Sequence, residues 1–231
     1  MQRKKIAVIG IGSFGKLFVQ YLFEDGHEVI AIDKDPVIID SIKESVTVAV
    51  ALDATDEHAL LSQGIADVDY AVIALADDFE TSIICADSLK KCGVKTIYAR
   101  YQTPLQMKVL ELLGIKDLFN PEERAARSMA ETLSFSGMRS SFLLSDDYSV
   151  VEVTVPKRYI NKTIAEADLR HKYNINVITI KRPFTNKEAK RASDAKGEKI
   201  LGIPHGNTVL REEDVVVLFG SQTDITKFLE T

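Results

Sequence analysis

Cysteine is scarce in this chain: two among 231 residues, Cys85 and Cys92. Both fall in one segment of helical spacing, where seven positions at 1.5 Å rise hold them roughly 10 Å apart, beyond disulfide reach. They share its apolar face and read as small buried hydrophobes in a reducing compartment. Zinc is equally unsupported, because no C-x-x-C and no histidine pair at ligand spacing occurs. Long apolar runs are missing as well. The longest clear one, Tyr70 to Ala76, is far too short to span a bilayer. Lys4 and Lys5 precede only a brief apolar stretch, which does not make a secretory signal. Excess positive charge is absent too: the net charge is −5 and the pI about 5.5. No global basic field therefore exists to hold nucleic acid or an anionic membrane. The expectation is a soluble, intracellular protein of one large domain or two smaller ones, with 45% hydrophobic residues to build its cores.

What is present organises itself around residues 6–15. Ile6-Ala7-Val8-Ile9 runs into Gly10, Gly12 and Gly15 at G-x-G-x-x-G spacing, and an amphipathic segment follows directly. Strand, tight glycine turn and helix are the context that a dinucleotide fingerprint requires. Gly10 permits the sharp turn, Gly12 lets backbone approach a pyrophosphate, and Gly15 lets the helix pack against the sheet. The helix N-terminus offers unpaired N–H groups and a positive dipole end to phosphates. A second apolar strand, Glu28 to Ile32, ends in Asp33, about 20 residues downstream, where the fingerprint places the acid that holds a ribose hydroxyl. A nucleotide with a free ribose 2′-hydroxyl follows as the expected ligand.

From residue 6 to about 119 short apolar runs alternate with helical segments. The predicted strands lie at 6–9, 28–32, 46–52, 71–75, 96–100 and 117–119. The helices between them stop at Gly26, Gly64, Gly93 and Gly114, and Asp35-Pro36 supplies one N-cap with proline at the first position. This alternation predicts a doubly wound parallel α/β sheet, a Rossmann domain, with its ligand beyond the C-terminal strand ends. Gly10, Asp33, Asp53, Leu75 and Arg100 all fall at those ends, so one pocket can gather them.

Asn120-Pro121-Glu122-Glu123 opens another helix, alanine-rich and only weakly amphipathic, that reads as a connector to about Leu133. From about 149 the texture becomes that of a small α+β unit. Strands are expected at 150–155, 176–180 and 215–219, one short helix over 164–172, and a last helix after Gly220. The polar stretch Lys181–Lys199, with seven basic and three acidic residues, reads as a solvated loop. The expected division is 1–139 and 140–231.

The Gly10–Gly15 turn, Asp33, Asp53-Ala54-Thr55, Ala99-Arg100 and Phe119-Asn120-Pro121-Glu122 together resemble an RCK protein. Asn161-Lys162-Thr163-Ile164 and Glu213 to Gly220 are similar to the C-terminal RCK subdomain. The resemblance covers nearly the whole chain, and is to the cytosolic regulatory subunits of Ktr/Trk-type potassium transporters. It implies a cytoplasmic dimer, often in an eight-membered ring, held at the inner face of the membrane by an integral-membrane potassium-translocating partner. It implies binding of ATP, ADP or NAD(H), with ligand state converted into gating and no reaction catalysed. By position, Gly10, Gly12, Ser13, Phe14 and Gly15 form the phosphate turn, and Asp33 and Lys34 hold the ribose. Asp53 and Ala54 flank the adenine, while Leu75, Ala76 and Arg100 line the remainder, Arg100 being suited to a terminal phosphate. Some relatives carry a basic residue where this chain has Ser13, which removes one phosphate partner. The resemblance further implies a divalent cation, Mg²⁺ or Ca²⁺, at Glu122, and a cyclic di-AMP pocket at Ile164, Arg170, Asn176 and Val177.

Two alternatives share the nucleotide fold: an NAD-dependent oxidoreductase and a redox-sensing transcriptional repressor. The second unit offers no recognisable acid/base constellation for the first. Neither a helix-turn-helix pattern nor a basic face is present for the second.

Overall fold

Short, mainly apolar runs have little polar surface to present to water, so the central ones fold as strands buried on both faces, with charged residues only at strand ends. Six of them make a parallel sheet: β1 (Lys5–Ile9), β2 (Glu28–Asp33), β3 (Val48–Ala51), β4 (Tyr70–Ile73), β5 (Ile97–Arg100) and β6 (Asp117–Phe119). The computed structural model describes residues 2–76, 78–145, 147–184 and 197–230. Its contacts divide the chain into two compact units, Met1–Pro121 and Glu122–Thr231.

In the first unit the strand order is β3-β2-β1-β4-β5-β6, every pair parallel. The order reverses between β1 and β4, which opens a crevice at the carboxyl ends of those strands. The connecting helices are α1 (Ser13–Glu24), α2 (Pro36–Asp40), α3 (Glu57–Ser62), α4 (Phe79–Lys91) and α5 (Pro104–Leu112). Alternation along β1 feeds two cores. Ala7 and Ile9 join Ile32, Ile73, Leu89 and Leu110 on one face. Ile6 and Val8 join Val19, Val29, Ile39 and Val72 on the other. Side chains cap the helices: Asp35 accepts from Val37 N–H, Asp56 from His58 and Ala59 N–H, and Thr103 forms a capping box with Gln106. Cys85 and Cys92 are free and buried on α4, and burial pushes the Cys85 thiol up to about 12.

The second unit begins with α6 (Pro121–Ser134) and continues through β7 (Met138–Leu143), β8 (Tyr148–Thr154), α7 (Ile164–Ala167), α8 (Leu169–Tyr173), β9 (Asn176–Pro183), β10 (Glu198–Ile200), β11 (Val215–Ser221) and α9 (Gln222–Glu230). Its sheet is antiparallel in the order β10-β9-β11-β8-β7. Val151, Val153, Ile180, Val216 and Leu218 from the strands pack with Leu169, Ile225 and Phe228 from the helices. Asp214 is fully buried and accepts from Arg182 Nε and Nη2, both at 2.7 Å.

Four expectations change here. The helix expected over 164–172 is two short ones, because Asp168 adopts φ +50 and closes α7 by donating its N–H to Ile164 O. Residues 138–143 form an edge strand that periodicity did not reveal, since Arg139, Ser140 and Ser141 interrupt its apolar character. The connector helix buries none of its residues; Ser128 and Glu131 bond Ser141 of β7, while Met129 and Leu133 stand 61% and 78% exposed. The polar stretch expected as a loop over Lys181–Lys199 is strand at both ends, where Lys181 to Pro183 of β9 pair with Glu198 to Ile200 of β10, and its residues 185–196 lie outside the described residues. Among the described residues no helix is long and apolar enough to cross a membrane.

Candidate functional site

The β1–α1 turn is built by backbone packing. Gly10 has φ +90, and its N–H donates to Ile32 O at 2.8 Å. A Cβ on Gly10 would meet Leu75 Cδ2 at 2.8 Å, so Leu75, two residues past the end of β4, sits directly on the turn. A Cβ on Gly15 would lie 2.1 Å from Gly10 O, which makes glycine the only residue that fits. Gly12 differs: a Cβ there meets nothing within 4 Å. Its glycine is therefore not required by the protein's own packing, and the open space is what an approaching pyrophosphate needs.

Asp33 ends β2 beside this turn. Its Oδ2 accepts from Ile11 N–H at 2.7 Å and its Oδ1 from Asp35 N–H at 3.0 Å, which fixes the carboxylate at the crevice. Asp53 follows β3 and accepts from the N–H of Thr55 at 2.9 Å and its hydroxyl at 2.7 Å. Those two bonds, N–H first, hold the Asp53 carboxyl below its ordinary value, with a further contribution from the Lys34 charge. Asp78, at the N-cap of α4, is lowered in the same way by the hydroxyl and N–H of Thr81, and Lys34 acts on it too. Lys34 thus stands within the electrostatic reach of two carboxylates at the strand ends. Sequence reasoning passed over Asp78, although Asp-x-x-Thr before an apolar helix is a cap signal.

Arg100 closes β5 at 8% exposure, its guanidinium 5.9 Å from the centroid of the Phe14 ring. Phe14 in turn stacks on Phe18 at 5.5 Å and tilts against Phe119 at 5.4 Å. Phe14 therefore joins the aromatic packing around α1 as well as the glycine turn. Below it an apolar cavity of about 480 Å³ is lined by Phe14, Phe18, Tyr70, Tyr98, Lys116 and Phe119.

The second unit carries a cavity of about 260 Å³ whose lining includes Ile164, Arg170, Asn176 and Val177, the four residues singled out from the sequence. Asp168, His171 and Pro204 line it too and were not anticipated. Glu122 is exposed in the first turn of α6. Among the described residues no group of three or more His, Cys, Asp or Glu comes together as a metal site.

A Rossmann sheet with an open glycine turn, followed by a small antiparallel α+β unit, defines a two-domain protein built on a nucleotide-binding fold. Residues 6–121 match the TrkA-N domain and residues 150–231 the TrkA-C domain. The chain belongs to this two-domain RCK family. It is 31% identical over 226 residues to the Ktr system potassium uptake protein C of Bacillus subtilis, covering 98% of this chain and 96% of that one. Over 228 residues it is 30% identical to the Ktr system potassium uptake protein A of the same organism, covering 99% and 96%. Among solved structures, the RCK domain of GsuK is similar in fold at a TM-score of 0.65 and 17% identity, covering 99% of this chain and 47% of that one. The GsuK channel bound to NAD gives 0.64 at 17% identity, covering 100% and 40%. The chain thus spans less than half the length of those channel chains. The Ktr relatives are potassium uptake proteins, which favours neither the oxidoreductase nor the repressor alternative.

Proposed function

We propose that this chain is the nucleotide-sensing regulatory subunit of a Ktr-type potassium uptake system. It would act at the cytoplasmic face of the membrane on an integral-membrane potassium-translocating partner. The observation that carries the reading is the similarity to Ktr proteins A and C over nearly the full length of both chains. The site supports it. A glycine turn with open space at Gly12, a fixed Asp33 and a buried Arg100 suit an adenine nucleotide with a free 2′-hydroxyl, ATP, ADP or NAD(H). Gly10, Ser13 and Gly15 would cradle its phosphates, Asp33 and Lys34 its ribose, Asp53 and Ala54 its adenine, and Leu75 and Ala76 the rest.

Self-assembly belongs to the same reading. The exposed Met129 and Leu133 of α6 and the aromatic cavity of the first unit are apolar surfaces that a second copy would cover, as a dimer or a ring of dimers. A second copy is also what Glu122 would need to bind Mg²⁺ or Ca²⁺, since one carboxylate makes no site. The cavity at Ile164, Arg170, Asn176 and Val177 combines apolar walls with a guanidinium and an amide, which suits cyclic di-AMP.

The test is potassium uptake in a host without its own high-affinity system. Co-expression with a Ktr membrane subunit should restore growth at low potassium, and mass spectrometry of the purified chain should find an adenine nucleotide. Uptake indifferent to the chain's presence would overturn the regulatory reading. A chain that purifies empty and shows no thermal shift with ATP, ADP or NAD(H) would overturn the nucleotide reading.

A further inference from the structure

We propose that Ser82 is a further ligand-contacting residue of the first unit, its buried hydroxyl bonding the adenine edge of the nucleotide. The proposal rests on reading the crevice as an adenine-nucleotide site. Ser82 is 2% exposed, and its Oγ has no hydrogen-bond partner among the described residues. A buried hydroxyl left unbonded is costly, and native proteins keep few of them.

Other helix hydroxyls show what Ser82 forgoes. Ser134 Oγ donates back to Ala130 O and Thr132 Oγ1 to Ser128 O, both at 2.8 Å. The equivalent bond from Ser82 Oγ to Asp78 O is not made. Ser88, the other buried serine of α4, donates to Thr55 O at 3.1 Å.

The place of Ser82 points to its partner. α4 starts just after the chain leaves β4, so its first turns lie at the carboxyl end of the sheet, where the crevice opens. Ser82, Cys85, Ala86 and Leu89 form its buried stripe at 3-and-4 spacing. The helix is held to the turn after β3 through Ser88 and Thr55 O. The Asp53 charge also reaches Cys85, one turn from Ser82 on the same stripe. Ser82 is therefore the member of the stripe nearest the crevice, on the side of the Asp53–Ala54 turn. That turn is where the proposed adenine lies, away from the phosphates at Gly10 to Gly15. Adenine offers ring nitrogens as acceptors and an amino group as donor, and a serine hydroxyl serves either. An uncharged hydroxyl among Cys85, Ala86 and Leu89 suits a neutral heterocycle better than a phosphate.

The experiment is calorimetric titration of AMP, ADP, ATP and NADH into the full chain and into Ser82→Ala, paired with melts of both without nucleotide. Ser82→Ala should weaken all four ligands by the same factor, about three- to tenfold, the value of one neutral hydrogen bond. Without nucleotide it should melt at or above the parent, because it removes an unbonded hydroxyl and alanine favours a helix. A hydroxyl bonded within the protein would do the reverse and lower the melting temperature when removed. Ser82→Ala that melts below the parent, or binds all four nucleotides as the parent does, would overturn the role of Ser82 and leave the crevice reading standing. A loss that grows with the number of phosphates would overturn the adenine contact. A parent that binds none of the four would overturn the crevice reading and the role of Ser82 with it.

Discussion

The backbone N–H of Ile11 donates to Asp33 Oδ2 at 2.7 Å, tying the glycine turn to the end of the neighbouring strand. The same carboxylate accepts from Asp35 N–H, so it serves the fold before it serves a ribose. Asp33→Ala removes both acceptors, and an orphaned donor at the buried Ile11 costs about 1–3 kcal/mol of stability. Asp33→Asn keeps one of the two acceptors, enough for the Ile11 N–H if the amide oxygen faces it, and leaves the exposed Asp35 N–H to water, so it should melt closer to the parent than Asp33→Ala. If Asp33 holds the ribose as proposed, both should weaken ATP, ADP and NADH alike, because both remove its charge. Titration showing parental affinity in the asparagine variant would move the nucleotide to another part of the molecule.

Gly12 and Gly15 separate function from packing within one turn. A methyl at Gly15 collides with the Gly10 carbonyl, a backbone atom that cannot rotate away. Gly15→Ala should therefore destabilise by at least about 1–3 kcal/mol, as overpacking does, or prevent folding. Gly12→Ala meets open space and should unfold within about 0.5 kcal/mol of the parent. Its methyl would nonetheless stand where a pyrophosphate approaches, so nucleotide affinity should fall in a protein of ordinary stability. Urea melts paired with nucleotide titration read both quantities. A Gly12→Ala protein that binds nucleotide normally would argue against backbone contact with the phosphates.

The first unit was legible in the sequence because each of its signals is local. Apolar runs bounded by Gly26, Gly64, Gly93 and Gly114 mark strands and helix ends, and all four glycines take positive φ. The strand-end positions of Gly10, Asp33, Asp53, Leu75 and Arg100 then follow from parallel topology alone. The second unit was harder because its signals are not local. β7 exists through pairing with β8, and Asp168 breaks the helix by adopting a conformation that Asp tolerates without requiring. Asp168 and His171 were invisible as a pair for the same reason, since the contact of Asp168 Oδ1 with His171 Nδ1 depends on that break. The connector helix looked weakly amphipathic, and the structure turns its polar Ser128 and Glu131 toward β7 and leaves Met129 and Leu133 outside.

Asp214 and Arg182 form the buried ion pair of the second unit. Asp214 is fully buried, accepts two bonds from the guanidinium, and takes a third from Arg211 N–H at 2.8 Å. Removing one member leaves the other's charge desolvated, which costs about 3–5 kcal/mol. Asp214→Ala should lower the melting temperature of the second unit while leaving nucleotide binding to the first unit intact. Replacing both residues by apolar ones of similar size should recover part of the loss, because the pair itself adds little net stability. A single substitution that costs less than about 1 kcal/mol would mean that water reaches the site and solvates Arg182.

Arg100 is the last residue whose role the geometry sharpens. It is 8% exposed at the end of β5 and lies 5.9 Å from the Phe14 ring centroid, beside the phosphate turn. Two roles follow from that position. As a phosphate partner it would make charge-assisted bonds to the terminal group of a nucleotide, each worth about 1.5–3 kcal/mol. As a packing residue it would hold α1 through its contact with Phe14, worth on the order of 0.5–2 kcal/mol. Arg100→Ala loses both, and Arg100→Lys keeps a charge while giving up the planar stacking. The phosphate role predicts that Arg100→Ala weakens ATP more than AMP by about the value of one such bond, and that Arg100→Lys recovers part of the difference. The packing role predicts equal losses for ATP and AMP, together with a lowered melting temperature that lysine does not restore. Titrating both nucleotides against both variants, with melts of each, decides between them. Equal losses for the two nucleotides would remove Arg100 from the phosphate site.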